Sequence, residues 1–229
     1  MEKAAIDLAA ARRCILFEGI AECDLKALLS CLGARRVRLG ADGVLFRMED
    51  QANRFGVLLS GSLVAVIYGK GGRRTIIKNL EAGSLVAAAQ ALSGVATMRV
   101  GVEASAQSEV LVLNVARVLS PCTQACTFHV RLVRNLMTAL ARKTLELNAR
   151  IEILSHRSTA DRLLSYLRSV AAERGRHEFD IPFDRQGLAD FLCVERSALS
   201  AEIGRLARTG ILRSRKRHFV LLAHRNADG

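Results

Sequence analysis

Between residues 186 and 212 the apolar positions fall on two short helical stripes separated by a two-residue gap. Leu188, Phe191 and Leu192 line one side of the first helix, and Cys193 and Val194 make a turn. Glu195 then opens a second helix with Leu199, Ile203 and Leu206 inward, spaced 4 and 3. That spacing is the 3.6-residue period. The second helix is expected to stop at Gly210, where a left-handed cap costs glycine little. This is the organisation of a helix-turn-helix. Its outer face carries Arg196, Ser197, Ser200, Arg205 and Arg208, groups that can donate to phosphates and base edges. A small, polar, basic face of this kind suits insertion into a major groove. The alternative is a plain helical hairpin with a solvated face, because a short motif needs context.

From about 35 to 118 the period shortens. Arg36 to Leu39, Val44 to Arg47, Phe55 to Leu59, Ser62 to Tyr68, Arg73 to Lys78, Val100 to Glu103 and Val110 to Val115 are strand candidates, with glycine-containing turns between them. Short strands at such spacing predict a β-barrel or jelly roll. Ahead of them, Asp24 to Leu32 predicts a helix with Leu25, Leu28, Leu29 and Leu32 inward.

A long helix is expected from about Pro121 to Leu154. Val130, Val133, Met137, Leu140, Thr144, Leu147, Ile151 and Leu154 alternate steps of 3 and 4, a heptad seam that predicts pairing with a second copy of the chain. Leu132, Leu136 and Ala139 form a second stripe, suited to holding the barrel. Beyond it, Ser158 or Thr159 caps a further helix with Leu163, Leu164, Leu167 and Val170 inward. Phe179 to Phe183 reads as a short strand, placed at a sheet edge by Pro182. Ile211-Leu212 and His218 to Leu222 read as two strands around a basic turn, a wing. The last residues, from about Arg225, read as frayed.

Composition narrows the partners. Among 229 residues, 34 are Lys or Arg and 22 Asp or Glu, for a net charge of +12. A chain this basic suits a polyanion. The densest basic run is Arg213, Arg215, Lys216 and Arg217, which most simply reads as a solvated loop. The N-terminal MEKAAIDLAAARR lacks the pattern of a signal peptide, and no apolar run approaches the ~18 residues of a membrane span. The expected setting is therefore the cytoplasm, without a membrane partner. Six cysteines there are expected as thiols, metal ligands or redox groups. No catalytic spacing stands out, so the chain does not read as an enzyme.

The order of barrel, long helix and winged helix-turn-helix resembles the CRP/FNR superfamily of bacterial transcription regulators. The resemblance covers nearly the whole chain and is carried by FDRQGLADFLCVERSALSAEIGRL, GVLLSGSLVAVI, TIIKNLEAGSL and LARKTLELNARIEILS. It implies an α+β fold in three parts: an effector-sensing, cyclic-nucleotide-binding-like barrel over 1–120, a dimerisation helix over 121–156, and a winged helix-turn-helix over 157–229. It implies a homodimer on double-stranded DNA with an inverted-repeat operator, and RNA polymerase as a further partner. By position, Arg196, Ser197 and Ala201 fall where the family places base-contacting side chains. Ser197 stands in place of a frequent Glu and Ala201 in place of a frequent Arg, which leaves Arg196 as the main reader. Ser200, Arg205, Arg185 and Lys216 complete the expected DNA side, with Arg205 suited to a phosphate. Val133, Met137, Leu140, Thr144, Leu147 and Ile151 form the implied dimer seam.

The sensor is less defined. Family members that bind cyclic AMP place a Glu after the turn glycine, for the ribose, and an Arg-Ser or Arg-Thr pair for the phosphate. Here the turn is Gly83-Ser84-Leu85, and Arg99 is followed by Val100. Cyclic AMP is therefore disfavoured. Cys14, Cys23, Cys31 and Cys122 resemble the cysteine set of the iron–sulfur regulators, but with wider spacing. Cys122, Cys126 and His129 would share one helix face, where sulfur and imidazole suit a metal or haem; filling a helix junction is the simpler role. The cofactor is left open, with haem, a metal or an iron–sulfur cluster as less favoured options. A ligand-binding protein or enzyme with a vestigial DNA module is the alternative from another class.

Overall fold

Two four-stranded antiparallel sheets dominate the first part of the chain. One orders β1 (Arg35–Leu39), β8 (Ser108–Asn114), β3 (Arg54–Ser60) and β6 (Leu85–Val86). The other orders β2 (Val44–Phe46), β7 (Gly101–Ala104), β4 (Ser62–Tyr68) and β5 (Arg74–Glu81). Neighbours distant in sequence and antiparallel throughout make this a jelly roll, as the strand spacing predicts. The central pair is β3 with β8, in register Val57 to Leu111. Both strands are apolar runs because both of their faces are covered: Val57, Leu58, Val110, Leu111 and Leu113 are fully buried. Edge strand β5 is instead exposed along most of its length, with Ile76 and Ile77 half exposed. It runs on to Glu81 rather than stopping at Lys78, because Ser62 of β4 pairs with Glu81. Gly61 makes the β3–β4 turn at φ +84°, where a Cβ would overlap the Gln107 carbonyl and Ser108.

The computed structural model describes residues 7–69, 71–120 and 127–222. It divides into two units, Met1–Arg142 and Lys143–Gly229. In the first, α1 (Leu8–Ala11), a 3-10 turn at Ile15–Phe17 and α2 (Glu22–Cys31) precede the sheets. Helix α2 buries Leu25, Leu28 and Leu29, as its stripe predicts. Helices α3 (Ala88–Leu92) and α4 (Val115–Leu119) are too short to carry a period and were not expected. The expected strand from Val110 ends at Asn114, whose side chain accepts from the Arg117 N–H and caps α4.

Helix α5 (Thr127–Ser155) spans the division between the units. Its expected start at Pro121 lies outside the described residues. Leu132 and Leu136 are buried in the core of the first unit, and Ala139 is half-buried. Asn135 Nδ2 donates to the carbonyls of Leu16 (3.1 Å) and Glu18 (2.8 Å), and Arg131 donates to Gly19. The seam divides, because at 3.6 residues per turn a strict seven-residue repeat drifts around an α-helix. Val133 and Leu140 are half-buried, with Leu140 packed on the core, whereas Val130, Met137, Thr144, Leu147 and Ile151 are exposed.

The second unit builds on α6 (Thr159–Arg174), which Ser158 caps and Gly175 closes in the left-handed region. Its core joins Leu163, Leu167, Phe179, Leu188, Leu192, Leu199, Ile203, Leu206 and Phe219. The sheet orders β10 (Leu212–Arg215), β11 (His218–Leu221) and β9 (Glu178–Asp180). β9 is an edge strand, as expected, but stops short of Pro182, which has no N–H to continue a ladder. β10 reaches Arg215, so Arg213 and Arg215 lie on a strand rather than in a loop. Only Lys216 and Arg217 form the turn.

Candidate nucleic-acid interface and sensor residues

The helix-turn-helix consists of α7 (Arg185–Leu192) and α8 (Arg196–Arg208). Asp184 caps α7, its Oδ1 accepting from the Gly187 N–H at 2.7 Å. Cys193 ends α7 in the left-handed region at φ +53°, and its neighbour Val194 donates back to the Ala189 carbonyl. Arg162 of α6 holds this turn from behind: Nη1 donates to the carbonyls of Leu192 (3.1 Å) and Cys193 (3.3 Å). Those carbonyls belong to a helix end that has no intrahelical partners for them. Arg162 was not anticipated, since nothing in an isolated sequence shows an arginine reaching a turn 30 residues away.

Helix α8 sits in the unit by one face. Leu199, Ile203 and Leu206 are at most 6% exposed, each contributing roughly 1.5–3 kcal/mol by burial. Arg196, Ser197, Ser200, Ala201, Arg205 and Arg208 are all exposed on the remaining surface. Arg196 and Ser197 open the helix, where a side chain can reach base edges end-on. The Ser200 hydroxyl donates to the Arg196 carbonyl at 2.9 Å, which leaves its lone pairs outward. Arg205 is ion-paired: Glu202, three residues back, accepts from both its Nε and Nη2. That hydrogen bond and the carboxylate charge raise the Arg205 pKa.

Arg185 sits differently from the other cations. It is half-buried, its guanidinium 5.8 Å from the Phe219 ring centroid and 3.4 Å from the Ser214 hydroxyl. Burial first, and the nearby Arg196 charge second, push its pKa down. It thus links the start of α7 to the wing strands while adding positive potential beside Arg196. Lys216, exposed at the wing turn with φ +55°, presents the remaining basic group.

An aromatic cluster missed by the apolar pattern sits behind α7. Phe191 stacks on Phe183 at 4.9 Å and tilts against Tyr166 at 5.0 Å. Arg150 of α5 lies over the Phe191 ring, 5.2 Å from its centroid.

Of the proposed effector residues only Leu85 lies on a strand, β6; Gly83 and Ser84 form the turn before it, and Arg99 precedes β7. Gly83 adopts φ +92° between β5 and β6, where a Cβ would lie 3.3 Å from the Arg13 carbonyl oxygen. Its N–H donates to Leu58, and the Ser84 carbonyl accepts from the Leu58 N–H. This pins the turn to β3. Ser84 and Leu85 are half-buried. Arg99 is exposed, and its backbone N–H, with that of Val100, donates to Gln90 Oε1. Gln90 therefore ties α3 to the entry of β7. Ser84 follows the turn glycine and Val100 follows Arg99, so neither a carboxylate nor a hydroxyl stands at these two positions.

The cysteines do not converge among the described residues. Cys14 is buried, while Cys23 and Cys31 are exposed on α2, about 12 Å apart at 1.5 Å per residue. Cys122 and Cys126 lie outside the described residues. His129 is 6% exposed, and its Nε2 donates to the Val118 carbonyl at 2.8 Å. The other ring nitrogen, Nδ1, is buried and has no hydrogen-bond partner among the described residues. Among the described residues no three His, Cys, Asp or Glu side chains form a metal-binding group, and no helix is long and apolar enough to cross a membrane.

Two family models match the chain: a cyclic nucleotide-binding domain over residues 36–124 and a Crp-like helix-turn-helix domain over 161–227. Together with the fold, they make the chain a member of the CRP/FNR superfamily of DNA-binding transcription regulators. Similar solved structures include the catabolite activator protein of Thermus thermophilus, at 21% identity and TM-score 0.51, covering 90% of this chain and 93% of that one. The c-di-GMP responsive global regulator CLP of Xanthomonas campestris matches at 18% identity and TM-score 0.52, over 86% and 99%. DNR of Pseudomonas aeruginosa matches at 21% and 0.51, over 98% and 97%. At these identities the likeness is one of fold. A search of curated protein sequences found no significant match.

Proposed function

We propose that the protein regulates transcription as a homodimer that reads an inverted repeat in double-stranded DNA, under a signal sensed in the jelly roll that is not cyclic AMP. The supporting observation is α8, fixed by three buried side chains and open along the face bearing Arg196, Ser197, Ser200 and Ala201. The exposed stripe of Val130, Met137, Leu147 and Ile151 supports pairing along α5. Two recognition helices related by a two-fold axis then meet half-sites ~34 Å apart. RNA polymerase is the further partner, and the cytoplasm the setting. Selection from a random DNA pool, followed by footprinting, tests the reading: an inverted repeat is expected, and salt-labile, sequence-blind protection would sink it.

A second reading is a haem- or metal-dependent sensor at Cys122, Cys126 and His129. It is favoured by the buried Nδ1 of His129, which has no hydrogen-bond partner among the described residues and is a nitrogen donor suited to iron, copper or zinc. An absorption spectrum with metal analysis of anaerobically purified protein decides it, and a colourless, metal-free protein rules it out.

A further inference from the structure

We infer that the stack of Arg150 on Phe191 sets the operator half-site spacing that the protein accepts. The inference rests on the homodimeric DNA-binding reading above. It starts from the last turns of α5, where successive residues point 100° apart. Ile151 is 66% exposed and continues the seam of Met137 and Thr144 in steps of seven, whereas Ile153 is 5% exposed in the core of the DNA-binding unit. One helical turn therefore offers one side to a second copy and holds the reading module with the other.

Ile153, with the His156 carbonyl that Arg162 Nε holds at 2.8 Å just past the helix, fixes the end of α5 and not its direction. Residues 143–152 of the helix are otherwise exposed, and toward α6 a groove of about 510 Å³, lined by Ala149, Glu152, His156 and Arg168 among others, leaves that flank open. The second fixed point is Arg150, one turn before Ile153 and on the same side. Its guanidinium lies 5.2 Å from the Phe191 centroid, and Phe191 is itself wedged by Tyr166 and Phe183. Phe191 is the penultimate residue of α7, which feeds through the turn into α8. Two contacts a turn apart define the angle between the pairing helix and the recognition helix. In a two-fold dimer that angle decides how far apart the two recognition helices stand. One base pair of error displaces a half-site by about 3.4 Å and about 35°.

The test measures full-chain binding to palindromes whose central spacer is lengthened or shortened by one base pair, and to DNA with a single half-site. R150M keeps the apolar stem and loses the guanidinium, R150K keeps charge and loses the planar stack, and F191L keeps apolar volume without the ring. For the wild-type chain, one base pair of spacer error is expected to weaken binding about tenfold or more. Each variant is expected to reduce that penalty to about threefold or less, with single half-site affinity within about twofold of wild type. An unchanged spacing penalty in R150M and R150K overturns the inference. So does an equal loss at every spacing, which would mark a general effect of charge or stability. Absence of sequence-specific half-site binding by the wild-type chain would instead overturn the reading on which the inference rests.

Discussion

Glu202 holds Arg205 against the side of the recognition helix, with Arg205 Nη2 2.6 Å and Nε 2.9 Å from the same carboxylate oxygen. The pair is solvent-facing, so its breakage should barely move thermal stability. Its effect should appear in DNA binding, because a cation already neutralised contributes less to a phosphate contact. Glu202→Gln is expected to raise sequence-independent affinity a few-fold and to steepen the salt dependence by about 0.9, one counterion's worth. Anisotropy titrations across a salt series measure both. An unchanged slope would show that Arg205 lies off the DNA path.

Arg196 should behave in the opposite manner. It opens α8 with no acidic neighbour bound to it among the described residues, and Ser197 and Ala201 beside it are small. Arg196→Ala is expected to cost ~1–3 kcal/mol at one base position of the operator and to relax preference there. Binding to a panel of single-base operator variants checks this. A uniform loss across the panel would reassign Arg196 to a phosphate.

The helix-turn-helix was legible because both of its helices bury a regular stripe. The turn was legible only by exclusion: Cys193 takes a left-handed conformation that sequence readily signals only when glycine stands there. Strands β3 and β8 were visible as apolar runs, while α3 and α4, five residues each, carry too little periodicity to see. The heptad spacing on α5 predicts one surface, but Leu140 packs on the barrel core because a seven-residue repeat drifts around an α-helix of 3.6 residues per turn. The Arg162 and Arg150 contacts are long-range polar and cation–π interactions, which no local pattern encodes. At the sensor, the departures at Ser84 and Val100 were plain in the sequence. They set these positions apart from the expected cyclic AMP pattern without naming another ligand.

On the proposed homodimeric reading, the two stripes of α5 separate stability from assembly. Leu136 is 2% exposed in the core of the first unit, and Met137, its neighbour, is 66% exposed. Leu136→Ala is expected to destabilise that unit by about 2–4 kcal/mol through the cavity it leaves, with self-association lost only as folding is lost. Met137→Glu should leave the fold intact and shift the protein toward monomer, since a carboxylate in a paired seam loses its hydration. Sedimentation with parallel thermal melts distinguishes the two. A Met137→Glu protein that remained dimeric would move the interface elsewhere.

Cys14 supplies a prediction about alkaline pH. Its side chain is 1% exposed, and burial, partly offset by a hydrogen bond from the Leu16 backbone, pushes its pKa up from 9.0 to about 11. The folded state therefore holds the thiol proton more tightly than the unfolded chain does. Stability from this group is fully present below about pH 9 and is lost as pH rises through about 11, at roughly 1.4 kcal/mol per pH unit between the two values. Denaturant melts of the wild-type chain and Cys14→Ala between pH 8 and 11 measure this term, with the wild-type curve falling more steeply above pH 9. In the native protein near neutral pH, Cys14 should also resist thiol reagents that label the exposed Cys23, Cys31 and Cys193. Equal labelling of Cys14 would place it at an accessible surface, and parallel pH curves for the two proteins would remove the thiol from the alkaline transition.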